Sequence, residues 1–281
     1  MLLLERVTRV APLGVRFWDP LSNQLIADGL LAAAYPAGQP ERRVPARVNH
    51  AGVYIFQNLP WLFDAEHGTG DAAYWESQAR IRFLVEVTDS LRRFLPCRFA
   101  ADLPFRGLFG PDCLPDESPP ALADAMPLYS APTRPVPGGM AVVRASLWDA
   151  LAERPASWAL LEVLQGGRLL ARGLSDAGGQ VALIFPYPEP PNFGSGTPLI
   201  RQTWTVQIQA GYSPRWPAPA SADICETLAQ PLAQLWADAG RKQPLDDAIL
   251  RFGQELVVRS RATVSGPLLS ELWITPTDSL P

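Results

Sequence analysis

The chain's few chemically versatile residues are His50, His67, Cys97, Cys113, Cys225 and the tripeptide Gly194-Ser195-Gly196. Nucleophilic catalysis needs a Ser or Cys within reach of a base that a third group orients. His50 stands in the run Asn49-His50-Ala51-Gly52 and His67 in a glycine-rich stretch, and no GxSxG elbow is present. Gly194-Ser195-Gly196, just before Pro198, reads as a loop. The cysteines lack CxxC spacing and form no ligand-pair spacing with the histidines, so zinc would have to be gathered wholly by tertiary structure. Asp176 with Gly178 and Gly179 lacks the alternating acidic ligands of a calcium loop. Neither GxxxxGK[ST] nor GxGxxG occurs, which removes phosphate cradles. The residues therefore predict solvated turn histidines, with no catalytic site, no cofactor and no metal. An odd set of three cysteines predicts reduced thiols, one of them buried and two in a linker or helix.

What is abundant is aromatic surface: the chain has nine tryptophans. Trp18, Trp148 and Trp204 fall within strand-like runs and are assigned to core. Trp61, Phe63, Trp75 and Trp216 sit near loops beside Pro, Gly or charge. Loop aromatics bury much area at little entropy cost, so these four are the candidate partner-binding residues.

The elements that would position them are strands. Thirty prolines and 21 glycines break the chain into short segments. The clearest is Gly166 to Pro190, where an Asp176–Gly179 turn enters the apolar run Val181 to Phe185 and Pro186 ends it. Asn49 to Phe56 is a weaker copy. Ile81, Phe83, Val85 and Val87 alternate with Arg82, Glu86 and Thr88, the pattern of a half-buried strand. Phe94 to Phe99 reads as another strand, and Trp61 to Glu76 as an exposed loop around Gly68, Gly70 and Asp71.

The two halves can be laid on each other. Phe17-Trp18-Asp19 matches Leu147-Trp148-Asp149, Leu30-Leu31 matches Leu160-Leu161, and the Gly52 turn matches the Gly179 turn. Val85 and Val87 match the run Trp204, Val206, Ile208, and four matches in one order indicate duplication. Trp148 to Leu164 also admits a helical reading, against which Pro155 counts. The expected domains are a β-sandwich at 1–106, an extended proline-rich linker at 107–139, and a second β-sandwich at 140–281. That second domain carries a helical insertion near 221–252: Ile224, Leu228, Leu232, Leu235 and Trp236 share one helical face, interrupted at Pro231, and Asp246 to Phe252 forms a helical turn.

Net charge is −4 with a sequence pI near 5.3 and no basic stripe, so nucleic acid is excluded as the main partner. No apolar run reaches 18 residues, which predicts no membrane insertion. MLLLERVTRV lacks a basic region before an extended apolar one, so cytoplasmic synthesis without a signal peptide is expected. Action outside the cell would then require release by another route.

The segments GVRFWDPLSNQLIADGLLAAAYP, NHAGVYIFQNLP and RGLSDAGGQVALIFPYPEP resemble carboxypeptidase-regulatory-like (transthyretin-like) immunoglobulin-type domains. That resemblance implies tandem Ig-like sandwiches that serve as folding or docking modules and hold no active site. FLVEVTDSLRRFLPCRFAADLP is similar to segments of proteins encoded with bacterial phage-tail-like contractile injection systems. It implies a non-catalytic structural part of such a particle, near the baseplate or spike, whose partners are other protein subunits. The alternative reading is a carbohydrate- or surface-binding module, with the aromatics between 61 and 75 as a stacking platform.

Overall fold

In each half of the chain one strand uses both of its edges, and the rest of that half assembles around it. The computed structural model describes residues 9–67, 72–114, 124–190 and 198–277. The Gly68, Gly70 and Asp71 loop, the Gly194–Gly196 tripeptide and the middle of the expected linker lie outside those residues. The protein is mainly β, as expected, and divides into two compact units. Unit 1 comprises Met1–Leu91, Pro96–Leu128 and Asp223–Cys225; unit 2 comprises Arg92–Leu95, Tyr129–Ala222 and Glu226–Pro281.

Unit 1 starts on the strand Leu13–Asp19. Leu13, Val15 and Phe17 are fully buried, as an alternating apolar strand requires. One edge pairs Leu13 with Phe56 and Val15 with Tyr54, then Trp18 with Leu25. The other edge runs parallel to Ala125–Pro127 and is bridged at Gly14 to Leu108. A second sheet pairs Leu30–Pro36 with Ile81–Asp89, and that strand with Cys97–Leu103. Phe83, Val85, Val87, Cys97, Phe99, Ala101 and Leu103 are buried along it. Apolar side chains that line one side of each sheet are the signature of a sandwich core.

Unit 2 repeats this plan around Met140–Asp149. Val143 faces Leu183 and Ala145 faces Val181, while Trp148 pairs with Pro155. The opposite edge runs parallel to Leu256–Val258 and then to Leu272–Ile274. Leu160–Gln165 pairs with Thr203–Gly211 on one side and Arg168–Leu174 on the other. Trp204, Val206, Leu161, Val163, Leu272 and Ile274 meet in its core.

The local chemistry of the repeat is closer than its sequence. Asn49 and Asp176 play one part: the side-chain oxygen of Asn49 accepts from the N–H groups of Ala51 and Val53, and that of Asp176 from those of Gly178 and Gln180. Gly52 and Gly179 then take φ of +70° and +78°. Asp19 and Asp149, both buried, end the first strands and accept from N–H groups of the turn that follows, Leu21 in one unit and Leu151 and Ala152 in the other. Asn23 and Glu153 occupy the left-handed region at equivalent points. The match of Leu30 to Leu160 is corrected by one residue. The next left-handed residue is Gly29 in unit 1 and Trp158 in unit 2, so buried Ala32 corresponds to Leu161 and buried Ala34 to Val163. A one-residue slip exchanges the two faces of a strand, and the uncorrected register would lay exposed Leu31 over buried Leu161.

Several expectations give way. The 107–139 segment is not a free linker where it is described: Phe109, Met126, Leu128, Tyr129 and Ala131 are buried, and Ala125–Pro127 is a strand. Proline-rich chain is tolerated beside a strand because a single missing N–H is lost only locally. The helical insertion shrinks to Ile224–Leu228, since Pro231 cannot continue it. Leu232–Trp236 and Ala248–Arg251 are strands instead. Arg154–Pro155 and Leu160–Gln165 are strands too, which removes the helical reading of Trp148 to Leu164. The strand placed at Phe94 to Phe99 runs from Cys97 to Leu103. Cys113 and Cys225 form a disulfide, so two of the three thiols expected to be reduced are paired. The third, Cys97, is buried, and burial, with the nearby Asp223 charge, pushes its thiol up to about 12. Among the described residues no helix is long and apolar enough to cross a membrane.

Two predictions follow from these contacts. A Cβ on Gly179 would lie 2.4 Å from the Leu147 carbonyl oxygen at a left-handed φ, whereas one on Gly52 would meet nothing closer than 3.4 Å. Gly179→Ala is expected to cost about 2–4 kcal/mol and Gly52→Ala about 1–2 kcal/mol in denaturant unfolding. The Tyr212 hydroxyl donates to Asp149 Oδ2 at 3.0 Å. Burial, then the Asp149 charge, raises the phenol above its ordinary 10.0. The neutral phenol's contribution is complete below that value and is lost as pH rises through the folded one. Stability should therefore fall above pH 10, and Tyr212→Phe should flatten the fall while costing about 1 kcal/mol at neutral pH. An unchanged alkaline slope in that variant would refute the assignment.

Candidate interaction surfaces

The aromatic site of unit 1 is built on a turn held by a buried carboxylate. Glu66 is fully buried; it accepts from the Arg9 guanidinium at 2.6 Å and from the Asn58 N–H. Its carbonyl takes the Val10 N–H, so one residue fastens the turn to the start of the described chain. A charge this deep is stable only when paired and hydrogen-bonded, as it is here. Leu59 and Leu62 are buried on either side of the exposed Trp61, which sits at φ +64°. With both leucines anchored inward, the indole between them is left facing solvent.

Trp61 is 53% exposed and Phe63 65%. The Arg42 guanidinium lies 4.9 Å from the Trp61 ring centroid, a cation–π contact that holds the indole in place. The His67 ring lies 4.3 Å from that of Phe63, and its Nδ1 is 3.0 Å from the Phe63 carbonyl. Both are tied to the short helix Phe63–Glu66, where an irregular loop was expected. Trp75 is the correction: it belongs to the helix Ala72–Ser77 and is only 5% exposed. A tryptophan next to Pro, Gly or charge in sequence can still turn inward once a helix gives it a buried face. In unit 2, Trp216 is 73% exposed, with the Arg154 guanidinium 4.8 Å from its ring centroid.

No group of three His, Cys, Asp or Glu side chains able to hold a metal occurs among the described residues. His50 is exposed in its turn, and the His67 ring packs against Phe63. The buried polar side chains Asp149, Ser175, Asp238 and Ser260 are all engaged in structural hydrogen bonds. Ser260 shows the type: its Oγ donates to the Trp236 carbonyl at 2.7 Å and accepts the Trp273 N–H at 2.9 Å.

One surface feature escaped the sequence. In unit 2 a groove of about 400 Å³ is lined by Ile249, Arg251, Glu255, Leu256, Val257, Arg259 and Leu268, together with Gln254. Ile249 and Arg251 reach one face because Ala248–Arg251 is a strand, and a helical reading of this stretch scatters them. Strict alternation around buried Leu250 was the signal available.

No family model matches the chain, and no curated protein matches it. Among solved structures, a D295N mutant of the shaft pilin SpaA of Lactobacillus rhamnosus GG is similar over 96% of this chain and 100% of the pilin, at 10% identity and a TM-score of 0.24. The unmutated pilin gives 8% identity and a TM-score of 0.23, over 96% of this chain and 98% of its own. A 9R-lipoxygenase from Cyanothece PCC8801 gives 13% identity and a TM-score of 0.20 over 47% of this chain, which spans 20% of the lipoxygenase. Superpositions this loose carry no argument about either fold or function, and the β architecture rests on the sheets described above.

The division between surface and core aromatics is testable by chemical denaturation. Trp61→Ala and Phe63→Ala are expected to change stability by no more than about 0.5 kcal/mol, and Trp75→Ala to cost about 3–5 kcal/mol. Equal costs at the three positions would remove Trp61 and Phe63 as surface residues.

Proposed function

We propose that this chain is a non-catalytic structural component of a multi-subunit assembly and acts through protein–protein contacts. The observation that carries the reading is the pairing of firm frames with exposed aromatics. Trp61, Phe63 and Trp216 face solvent from hydrogen-bonded or cation-braced positions on sandwich scaffolds. Rigid aromatic anchors of this kind supply much of the binding energy at protein interfaces. The competing stacking platform for sugars loses one of its two tryptophans, because Trp75 is buried.

Within this class, the narrower place we propose is a phage-tail-like contractile particle, near its baseplate or spike. What supports it is the resemblance of the segment from Phe83 to Pro104, which in the fold is formed largely by two sandwich strands. The test is co-expression with the proteins encoded beside this one, followed by affinity purification. Sheath, tube or baseplate proteins should co-purify, and the triple variant Trp61→Ala, Phe63→Ala, Trp216→Ala should weaken that association about tenfold or more. A chain that stays alone in the presence of such proteins overturns the particle reading. An association untouched by the triple variant removes the aromatics from it.

A further inference from the structure

We propose that the groove of unit 2 is a docking site for an extended segment of a partner protein, acidic in charge and apolar at alternate positions. This rests on the protein-contact reading above and assigns a second surface to it. The groove lies where two strands approach without joining. Ala248–Arg251 is paired to Thr203–Val206 on one edge, and Leu256–Val258 to Val143–Ala145 on one edge. No pairing joins the two strands to each other among the described residues. The Arg251 carbonyl is taken by the Gln254 N–H, and the strand edges beyond that turn offer backbone donors and acceptors to an incoming strand.

The side chains state the chemistry of the occupant. Ile249, Val257 and Leu268 are 48%, 42% and 57% exposed, giving an apolar lining that water covers poorly. An extended peptide presents side chains to one face at every second residue, which suits such a lining. The charge is one-sided. Arg251 and Arg259 line the groove and form no ion pair among the described residues. Glu255, its acidic residue, is already bound to Arg144 at 3.0 Å. A chain of net charge −4 thus presents a locally cationic groove, and the complementary segment carries Asp or Glu between its apolar residues.

The test uses the full chain and fluorescein-labelled hexapeptides in which glutamate alternates with valine or leucine, with lysine-for-glutamate peptides as controls. Fluorescence anisotropy should show saturable binding of the acidic peptides, weakening as salt rises, and no binding of the lysine set. Arg251→Glu with Arg259→Glu should weaken binding about tenfold or more. Circular dichroism shows whether each variant is folded. Because Val257 sits at the exposed lining, Val257→Asp offers a second, independent disruption. Equal binding of acidic and basic peptides, or binding indifferent to both groove changes, overturns the proposal. So does self-association in sedimentation that Val257→Asp abolishes, since a second copy would then be the occupant. Particle proteins that co-purify equally well with the charge-reversed variant would overturn the groove while leaving the aromatic contacts standing.

Discussion

Asp149 is where the backbone problem of unit 2 is solved. The strand Met140–Asp149 uses both edges, pairing with Gln180–Pro186 and Arg154–Pro155 on one side and with Leu256–Val258 and Leu272–Ile274 on the other. The chain after it reverses at once through an exposed turn, Leu151 to Glu153, whose N–H groups the buried strand end must hold. The buried carboxylate takes the N–H groups of Leu151 and Ala152 and the hydroxyl of Tyr212. It therefore satisfies the turn and joins it to the end of a strand that lies far away in sequence. A buried carboxylate without any of those donors would be strongly destabilising, so strand end, turn and tyrosine are joined through one side chain.

Unit 1 uses the same device. Asp19 accepts from the Leu21 N–H and the Ser22 hydroxyl. Each unit then spends an Asx side chain and a left-handed glycine on the turn that aims its next strand at the first. The repetition is thus one of backbone hydrogen-bond solutions, conserved in geometry where the residues differ, Asn49 against Asp176. Packing differs more freely: buried Ala32 and Ala34 in one unit stand where buried Leu161 and Val163 stand in the other.

The surfaces follow from what these frames leave unburied. Trp61 is exposed because Leu59 and Leu62 are not, and Glu66 fixes the turn that separates them. The groove of unit 2 is open because the strands Ala248–Arg251 and Leu256–Val258 each pair with a different neighbour. The disulfide belongs to the frame as well. Cys113 and Cys225 are 112 residues apart, and their bond holds Asp223–Cys225 within unit 1, where Asp223 also meets Arg98 at 3.5 Å. A cross-link over so long a loop removes much freedom from the unfolded chain, and it persists where surroundings are oxidising.

By itself the sequence determined the β class, the Asp–Gly and Asn–Gly turns, the long alternating strand at Ile81–Asp89 and the likeness between the Trp18 and Trp148 strand ends. All of these are local: a two-residue period or a turn residue is legible within ten positions. The exposed sites at Trp61, Phe63 and Trp216 were legible for the same reason, since flanking Pro and charge mark a loop. Tertiary structure alone decided the rest. It turned Trp75 inward, paired Cys113 with Cys225, and made strand partners of a proline-rich stretch whose composition suggests a linker. It also drew Leu232–Trp236 and Ala248–Arg251 out of a helical pattern into sheets. In each case the deciding term is a contact with chain distant in sequence, and burial and edge pairing over such distances outweigh propensities of a few tenths of a kilocalorie per residue. The one-residue slip between Leu30 and Leu160 has the same origin: only the core shows which face of a strand is buried.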